Sequence, residues 1–437
     1  MPSPTETPAV LRPFHHHSER RSVQMKRLCL ALALVLVVSA AASAQHIRIG
    51  GFGGNDTIIV EELLERFIRP ALEGTGITVS YEPVADDFQR YIVNALSAGT
   101  APDLFYVDIF WAESLMRSGV LEPLNKYLAE SEILKPEDII DSLLDAYTLD
   151  GNIYGIPKDF NTLAVFYNKD LFDYAGVPYP DENDTWDTFQ DKLAKVVEAV
   201  PEVYGLALQP EFARMGALAY AAGFQPFDEE GKSNLLDPAF VDAFTWYTQM
   251  AETGVGVMPM DVSQDWGGGA LAAEKVAAAL EGAWILGFLK DNAPNLNYGA
   301  TLIPKHPRTG QRGNLIFCVS WSMNAASQHK EAAFKVLELL TSPEAQQWVL
   351  ERGLAIPSRK ALADNPYFLE DTPDAKANAI VFQGASDGNV LPYAFGKYGG
   401  EWMDPINQAL TAVMTGEATV EEALQNAQAR LEAIMSK

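Results

Sequence analysis

Cysteine is almost missing from this 437-residue chain: only Cys29 and Cys318 occur. Histidine is scarce too, with six in all, three of them in the run at 15–17. The remaining His46, His306 and His329 sit in loop-like contexts without zinc-ligand spacing. No GxSxG, HExxH or paired-cysteine element occurs, so no common hydrolase or metal-site motif is available and neither a metal nor a cofactor is expected. Positive charge is also in short supply, with 32 Lys and Arg against 58 Asp and Glu, a net charge of −26. Such a chain repels nucleic acid and anionic membranes, which bind proteins by phosphate neutralisation. Fixed-period repeats and low-complexity linkers are absent. Beyond the first 44 residues, no apolar run approaches the roughly 18 residues that a membrane span requires.

Those first residues form a separate unit. "MKRLCLALALVLVVSAAASA", Met25 to Ala44, has Lys26 and Arg27 at its start, then an apolar run from Leu28 to Val38. It finishes in Ala42-Ser43-Ala44, which predicts a secretory leader cut after Ala44. Met25 is the expected start, with residues 1–24 upstream of it. Cys29 stands at the head of the apolar run rather than after it, so no lipoprotein is expected. Removing 1–44 leaves 437 − 44 = 393 residues, with 32 − 5 = 27 basic and 58 − 2 = 56 acidic side chains. Cys318 is then alone, and no internal disulfide can form although export implies an oxidising compartment. A periplasmic protein of two domains fits this length.

After the leader the pattern is α/β. "HIRIG" alternates like a strand, "GGFGGNDT" turns, and "IIVEELLERFIRPALEG" has helical periodicity. "GITVSYEP", "DDFQRYIVNALSAG" and "APDLFYVD" continue as strand, helix and strand, predicting a mainly parallel sheet covered by helices. Asp237-Pro238 and Ser342-Pro343-Glu344 are helix starts, the second helix stopping at Gly353. Thr419 to Glu422 forms a capping box that opens a final helix toward Met435.

Several residues stand out as candidates. Gly51 and Gly53 match the first two glycines of a dinucleotide loop, but Asp56 holds the third position, and no Lys-Ser/Thr follows. The turn therefore reads either as a cap supplied by Asn55 or Asp56, or as a helix N-terminus offering both to a neutral polar ligand. Asp103 reads as a turn or cap residue. Asp108 lies at a strand C-terminus, where open α/β sheets present ligand groups, and Trp111 follows it. Trp284, Trp321 and Trp402 are each open to a core or a site reading, the first and last beside glycines; Trp246 is assigned to the core. In "GNIYGIPKDFNTLAVFYNKDLF", the polar Lys158, Asp159 and Asn161 precede an apolar run. Aromatic plates combined with Asp, Asn and Arg side chains suit a sugar, which carries apolar C–H faces and many hydroxyls.

Taken in order, "YGIPKDFNTLAVFYNKDLF", "LEGAWIL", "NYGATLIPKHP", "SWSMNAASQHKEAAFKVLELLTSPEAQQWV", "LAIPSRKAL" and "TGEATVEEALQNAQ" resemble the extracellular sugar-binding proteins of ABC importers, the maltose-binding-protein-like solute-binding family. The resemblance covers nearly all of the chain after the leader. It implies a periplasmic-binding-protein fold, with two α/β lobes joined by a multi-strand hinge and sugar held between them. It places lobe one at 46–158 and 301–340, and lobe two at 159–300 and 341–437. By the same resemblance Asn55, Asp56, Asp108, Asp159, Asn161, Phe212, Trp284, Arg359 and Trp402 are ligand contacts, with Trp284 and Trp402 as stacking plates. Trp111 after Asp108, Trp321, and Tyr393 in this chain's own "LPYAFGKYGG" join them as candidate contacts from the residues themselves. The chain departs from the maltose-binding member at Asn161, where that protein is acidic, and at Ala283, where it has proline. The implied function is non-enzymatic: a monomer binding a neutral di- or oligosaccharide, an α-glucoside by preference, for a membrane permease. An anionic solute such as a glycerol phosphate and a secreted glycosidase are the alternatives. The anion would call on Lys158, Arg214 and Arg359.

Overall fold

The computed structural model describes residues 45–85 and 87–436. The expected leader, its cleavage point, Met25 and Cys29 lie outside the described residues. Two sheets organise the chain, one in each lobe. In the first, Gln45–Phe52 lies parallel to both Ile77–Val84 and Leu104–Asp108. Gly313–Met323 inserts antiparallel between Leu104–Asp108 and Gly155–Asn161. Ile356–Pro357 closes that edge, and Asn389–Pro392 runs beside the start of Gly313–Met323. In the second sheet, Ala164–Asn168 lies antiparallel to Tyr298–Thr301 and to Val276–Glu281. Tyr204–Ala207 and Gly256–Val257 extend it in parallel.

The strands read as they do because both sheet faces are covered. Leu104 to Val107 and all six residues of Val276–Glu281 are buried, the near-continuous apolar pattern of a sheet packed on two sides. Helix ends follow local chemistry. Asp237, Ser342 and Thr419 each accept a backbone N–H at a helix start, and Gly353 ends Pro343–Arg352 with a left-handed φ of 87°. In the first helix, Asn55–Leu63, the capping alternative does not hold. Its N-cap is Gly54, at φ 62°, and neither Asn55 nor Asp56 caps it. Only glycine takes that φ without penalty, so the turn leaves both polar side chains free at the first helical positions.

The chain crosses between the sheets from Asn161 to Ala164 and from Thr301 to Gly313. The side chain of Asn314 clamps these two passages together: it accepts from the Leu163 N–H at 2.9 Å and donates to the Leu163 carbonyl at 2.8 Å. Two boundaries differ from the sequence reading. Strand Gly155–Asn161 stays in the first sheet to its last residue, so a division at 158/159 cuts it. Helix Pro343–Arg352 packs on Asn55–Leu63, and Ile356–Pro357 pairs with the first sheet, so these segments belong with lobe one rather than lobe two. Among the described residues no helix is long and apolar enough to cross a membrane.

Candidate functional site

A cavity of about 540 Å³ is lined by both lobes. Lobe one contributes Phe52, Asn55, Asp56, Asp108, Lys158 and Asp159; lobe two contributes Arg214, Trp266, Trp284 and Phe288. The polar groups on the lobe-one side arrive on strand ends and helix starts. Asp108 ends its strand and caps the next helix, accepting from the Phe110 N–H at 3.4 Å. Asn55 opens the first helix, and both polar atoms of its amide are shielded from solvent without a hydrogen-bond partner. Burial drives the Asp56 carboxyl up to about 6 despite the pull of Lys158, and drives Asp108 up to about 7 despite the Phe110 N–H. Lys158 pairs with Asp159, and its ammonium lies 4.8 Å from the centre of the Tyr106 ring. Burial works against that ammonium, but Asp159 and Asp56 outweigh it and raise its pKa.

Asn161 joins the two lobes at the base. Its side-chain oxygen accepts from the Ala283 N–H at 2.8 Å, directly before Trp284. On the lobe-two side, the Trp284 indole meets Phe317 edge-on at 5.4 Å, and Trp266 meets Phe288 at 5.0 Å. Tyr393 completes the wall beside Phe317, at 4.8 Å. Near the cavity, Arg352 bridges the lobes. It bonds Glu62 of the first helix at 3.0 Å and Asp291, at the end of Trp284–Asn292, at 2.8 Å. The Gly287 N–H donates to the Gly353 carbonyl at 2.8 Å next to it.

Of the twelve expected contacts, Asn55, Asp56, Asp108, Asp159, Asn161, Trp284 and Tyr393 line this cavity. The other five lie elsewhere. Trp402 is 0% exposed. It stacks on Phe395 at 4.4 Å and 4°, and its indole N–H donates to Ser233 at 2.8 Å. Phe212 is buried edge-on against it. Trp321 packs on Tyr106 at 4.5 Å inside lobe one. Trp111 is buried against Phe88 and borders only an adjoining recess. Arg359 is buried among loops, donating to the Thr341 and Ile133 carbonyls and to Asp138. Each of these five finds its partners within its own lobe's packing, which a residue's neighbours in sequence do not reveal. Trp266, Phe288, Phe317 and Leu354 were not singled out from the sequence. Trp266 carried a readable signal, because Gly267-Gly268-Gly269 follow it and a Cβ on Gly268 would strike the ring at 2.3 Å. Among the described residues no group of three or more His, Cys, Asp or Glu side chains is placed to hold a metal ion.

Comparison with known proteins agrees with this architecture. Residues 56–347, well over half of the chain, match the family model described as bacterial extracellular solute-binding protein. A binding protein of Brucella abortus (strain 2308) is 28% identical over 410 residues, covering 91% of this chain and 95% of its own length. The lactose-binding protein of Rhizobium radiobacter is 26% identical over 328 residues, 72% of this chain and 75% of that protein. Among solved structures, the ABC substrate-binding protein of Listeria monocytogenes in complex with cycloalternan superposes with a TM-score of 0.81 at 23% identity, covering 90% of this chain and 100% of that one. On the family match and the shared two-lobed fold, the chain belongs to the bacterial extracellular solute-binding proteins, which are receptors rather than enzymes.

Proposed function

We propose that this receptor binds a neutral sugar of more than one ring in the inter-lobe cavity and delivers it, as a monomer in the periplasm, to the permease of an ABC importer. One observation carries the reading: the Trp284 indole lines the same cavity as acceptors that no cation neutralises, while each cation lining it is already paired. Among the described residues Asp56 and Asp108 have no cationic partner within ion-pair distance, whereas Lys158 is paired with Asp159 and Arg214 with Glu281. Carboxylates accept sugar hydroxyls as charge-assisted hydrogen bonds, worth about 1.5–3 kcal/mol each. The indole covers the C–H face of a ring. An anionic solute would meet uncompensated carboxylates and find no free positive charge.

Length also argues for a di- or oligosaccharide. Phe52, Gly53 and Asp108 are shared between the main cavity and a second recess of about 370 Å³. Two of the relatives are named for such sugars, lactose for one and cycloalternan for another, while a third is named for mannitol. A thermal-shift screen against maltose, lactose, D-mannitol and sn-glycerol 3-phosphate tests the reading, followed by calorimetry on the hits. A ligand at a hundredfold excess over Kd stabilises by about 2.7 kcal/mol, so a neutral saccharide is expected to raise Tm by several degrees. A rise with the phosphate ester alone would replace the neutral-sugar reading with an anionic one.

A further inference from the structure

Glu281 does not line the cavity, yet it controls two groups that do. It is the last residue of the buried strand Val276–Glu281 and is 1% exposed. One of its oxygens, Oε2, accepts from Arg214 Nη2 at 2.7 Å and from Trp284 Nε1 at 2.8 Å. The Arg214 guanidinium in turn lies 5.5 Å from the centre of the Trp284 ring. Two glycines make room for this triad. A Cβ on Gly267 would approach the other Glu281 oxygen to 2.7 Å, and one on Gly282 would strike the Trp284 ring at 2.4 Å. The indole is thus fixed by its N–H, by the backbone it lies over and by the edge of Phe317. The Nε–H of Arg214 has no partner, although the residue lines the cavity.

Resting on the sugar-receptor reading, we propose that Glu281 is the specificity-determining residue of the aromatic wall: it fixes the Trp284 indole and cancels the charge of Arg214, so that the wall admits uncharged ligands and refuses anions. A guanidinium keeps its proton in protein interiors and presents a fork suited to phosphate or carboxylate. Left without Glu281, Arg214 would remain charged at the cavity with only the Glu211 carboxylate acting on it from beyond ion-pair distance, and would seek a closer anion. Removing one partner of a buried pair leaves the other uncompensated, and an incoming phosphate would supply the missing charge.

The test uses the full chain and three variants, E281Q, E281Q/R214Q and W284F. The last assigns the Trp284 indole N–H resonance in ¹⁵N spectra of ligand-free protein. Maltose and lactose are the neutral probes, with glucose 6-phosphate and inorganic phosphate as the anionic ones. E281Q is expected to shift the indole resonance and to weaken neutral-sugar binding about tenfold. It should also gain at least tenfold for glucose 6-phosphate in a salt-sensitive manner, and E281Q/R214Q should lose that gain. A folded E281Q with unchanged preference between maltose and glucose 6-phosphate would overturn the proposal. If E281Q alone does not fold, the double variant, which leaves no buried unpaired charge, decides: an indole resonance identical to that of the parent overturns it. A parent protein that binds neither maltose nor lactose, with an Arg214-dependent gain of phosphate binding in E281Q, would defeat the sugar reading and leave this inference standing.

Discussion

The two walls of the cleft are built from different chemistry. On the lobe-one side, Asn55, Asp56 and Asp108 present acceptors at a helix start and a strand end, with Asp159 beside them paired to Lys158. On the lobe-two side, Trp266, Trp284 and Phe288 present aromatic surface, and the charges among them are internally paired. Either wall alone would read half of a sugar, its hydroxyls or its C–H face. A ligand shifts a two-state equilibrium only by its preference for one state. Unlike walls make that preference large, because the complete set of contacts exists only when both lobes reach the ligand. The Arg352 bridge and the Gly287–Gly353 hydrogen bond join the lobes beside the cavity without belonging to either wall.

That contrast can be broken at several points. Trp402→Ala should have the largest effect, and on folding rather than binding: deleting a fully buried tryptophan costs about 3–5 kcal/mol. Denaturant unfolding would register that loss, while the folded fraction keeps its sugar affinity; weakened binding at unchanged stability would return Trp402 to the site. Trp284→Ala should behave in the opposite way, lowering affinity about a hundredfold by calorimetry with a small change in Tm. Asp108→Asn removes a charged acceptor from the other wall and should weaken binding about tenfold, in line with the ~1.5–3 kcal/mol of a charge-assisted bond. Arg352→Ala touches neither wall. A partly exposed ion pair is worth about 0.2–1 kcal/mol, so it should weaken affinity a few-fold, mainly through faster dissociation in stopped-flow traces.

Acidity offers the finest test. The Asp56 and Asp108 carboxyls lie at about 6 and about 7, held above the ordinary carboxylate range by burial. Sugar hydroxyls stabilise the ionised form, so binding should release protons near pH 6.5, and affinity should fall as pH drops from 7.5 to 5.5. Calorimetry in buffers of different ionisation enthalpy measures that release. The ligand-free protein should respond in the reverse direction. A carboxyl whose pKa is higher folded than unfolded contributes stability below its unfolded pKa, and that contribution is lost as pH rises through about 6 and about 7.

How much of this could be read in advance varied with the residue. The strands and helices around Asp56 and Asp108 were legible because burial periodicity and caps are local signals, and ligand groups at strand ends follow from the topology of α/β sheets. The two tryptophans show the limit. "EGAW" and "GGEW" look alike, with glycine beside an indole. Trp284 is at the cavity because its N–H is held by Glu281, three residues away, whereas Trp402 is buried because Ser233, 169 residues distant, receives its N–H. Arg359 and Phe212 were misplaced for the same reason, their partners being set by packing across the chain.

The amino-acid sequence by itself determined acidity and the α/β class, since each follows from composition or from spacing along a few residues; its leader-like start pointed to export and its length to two domains. Only the tertiary structure decided which aromatic rings line the cavity, that both cavity cations are neutralised, and that Pro343–Arg352 belongs with the first lobe. Those outcomes depend on pairs of side chains far apart in the chain, and hydrogen bonds and close packing select such pairs only when the backbone brings them within a few ångströms.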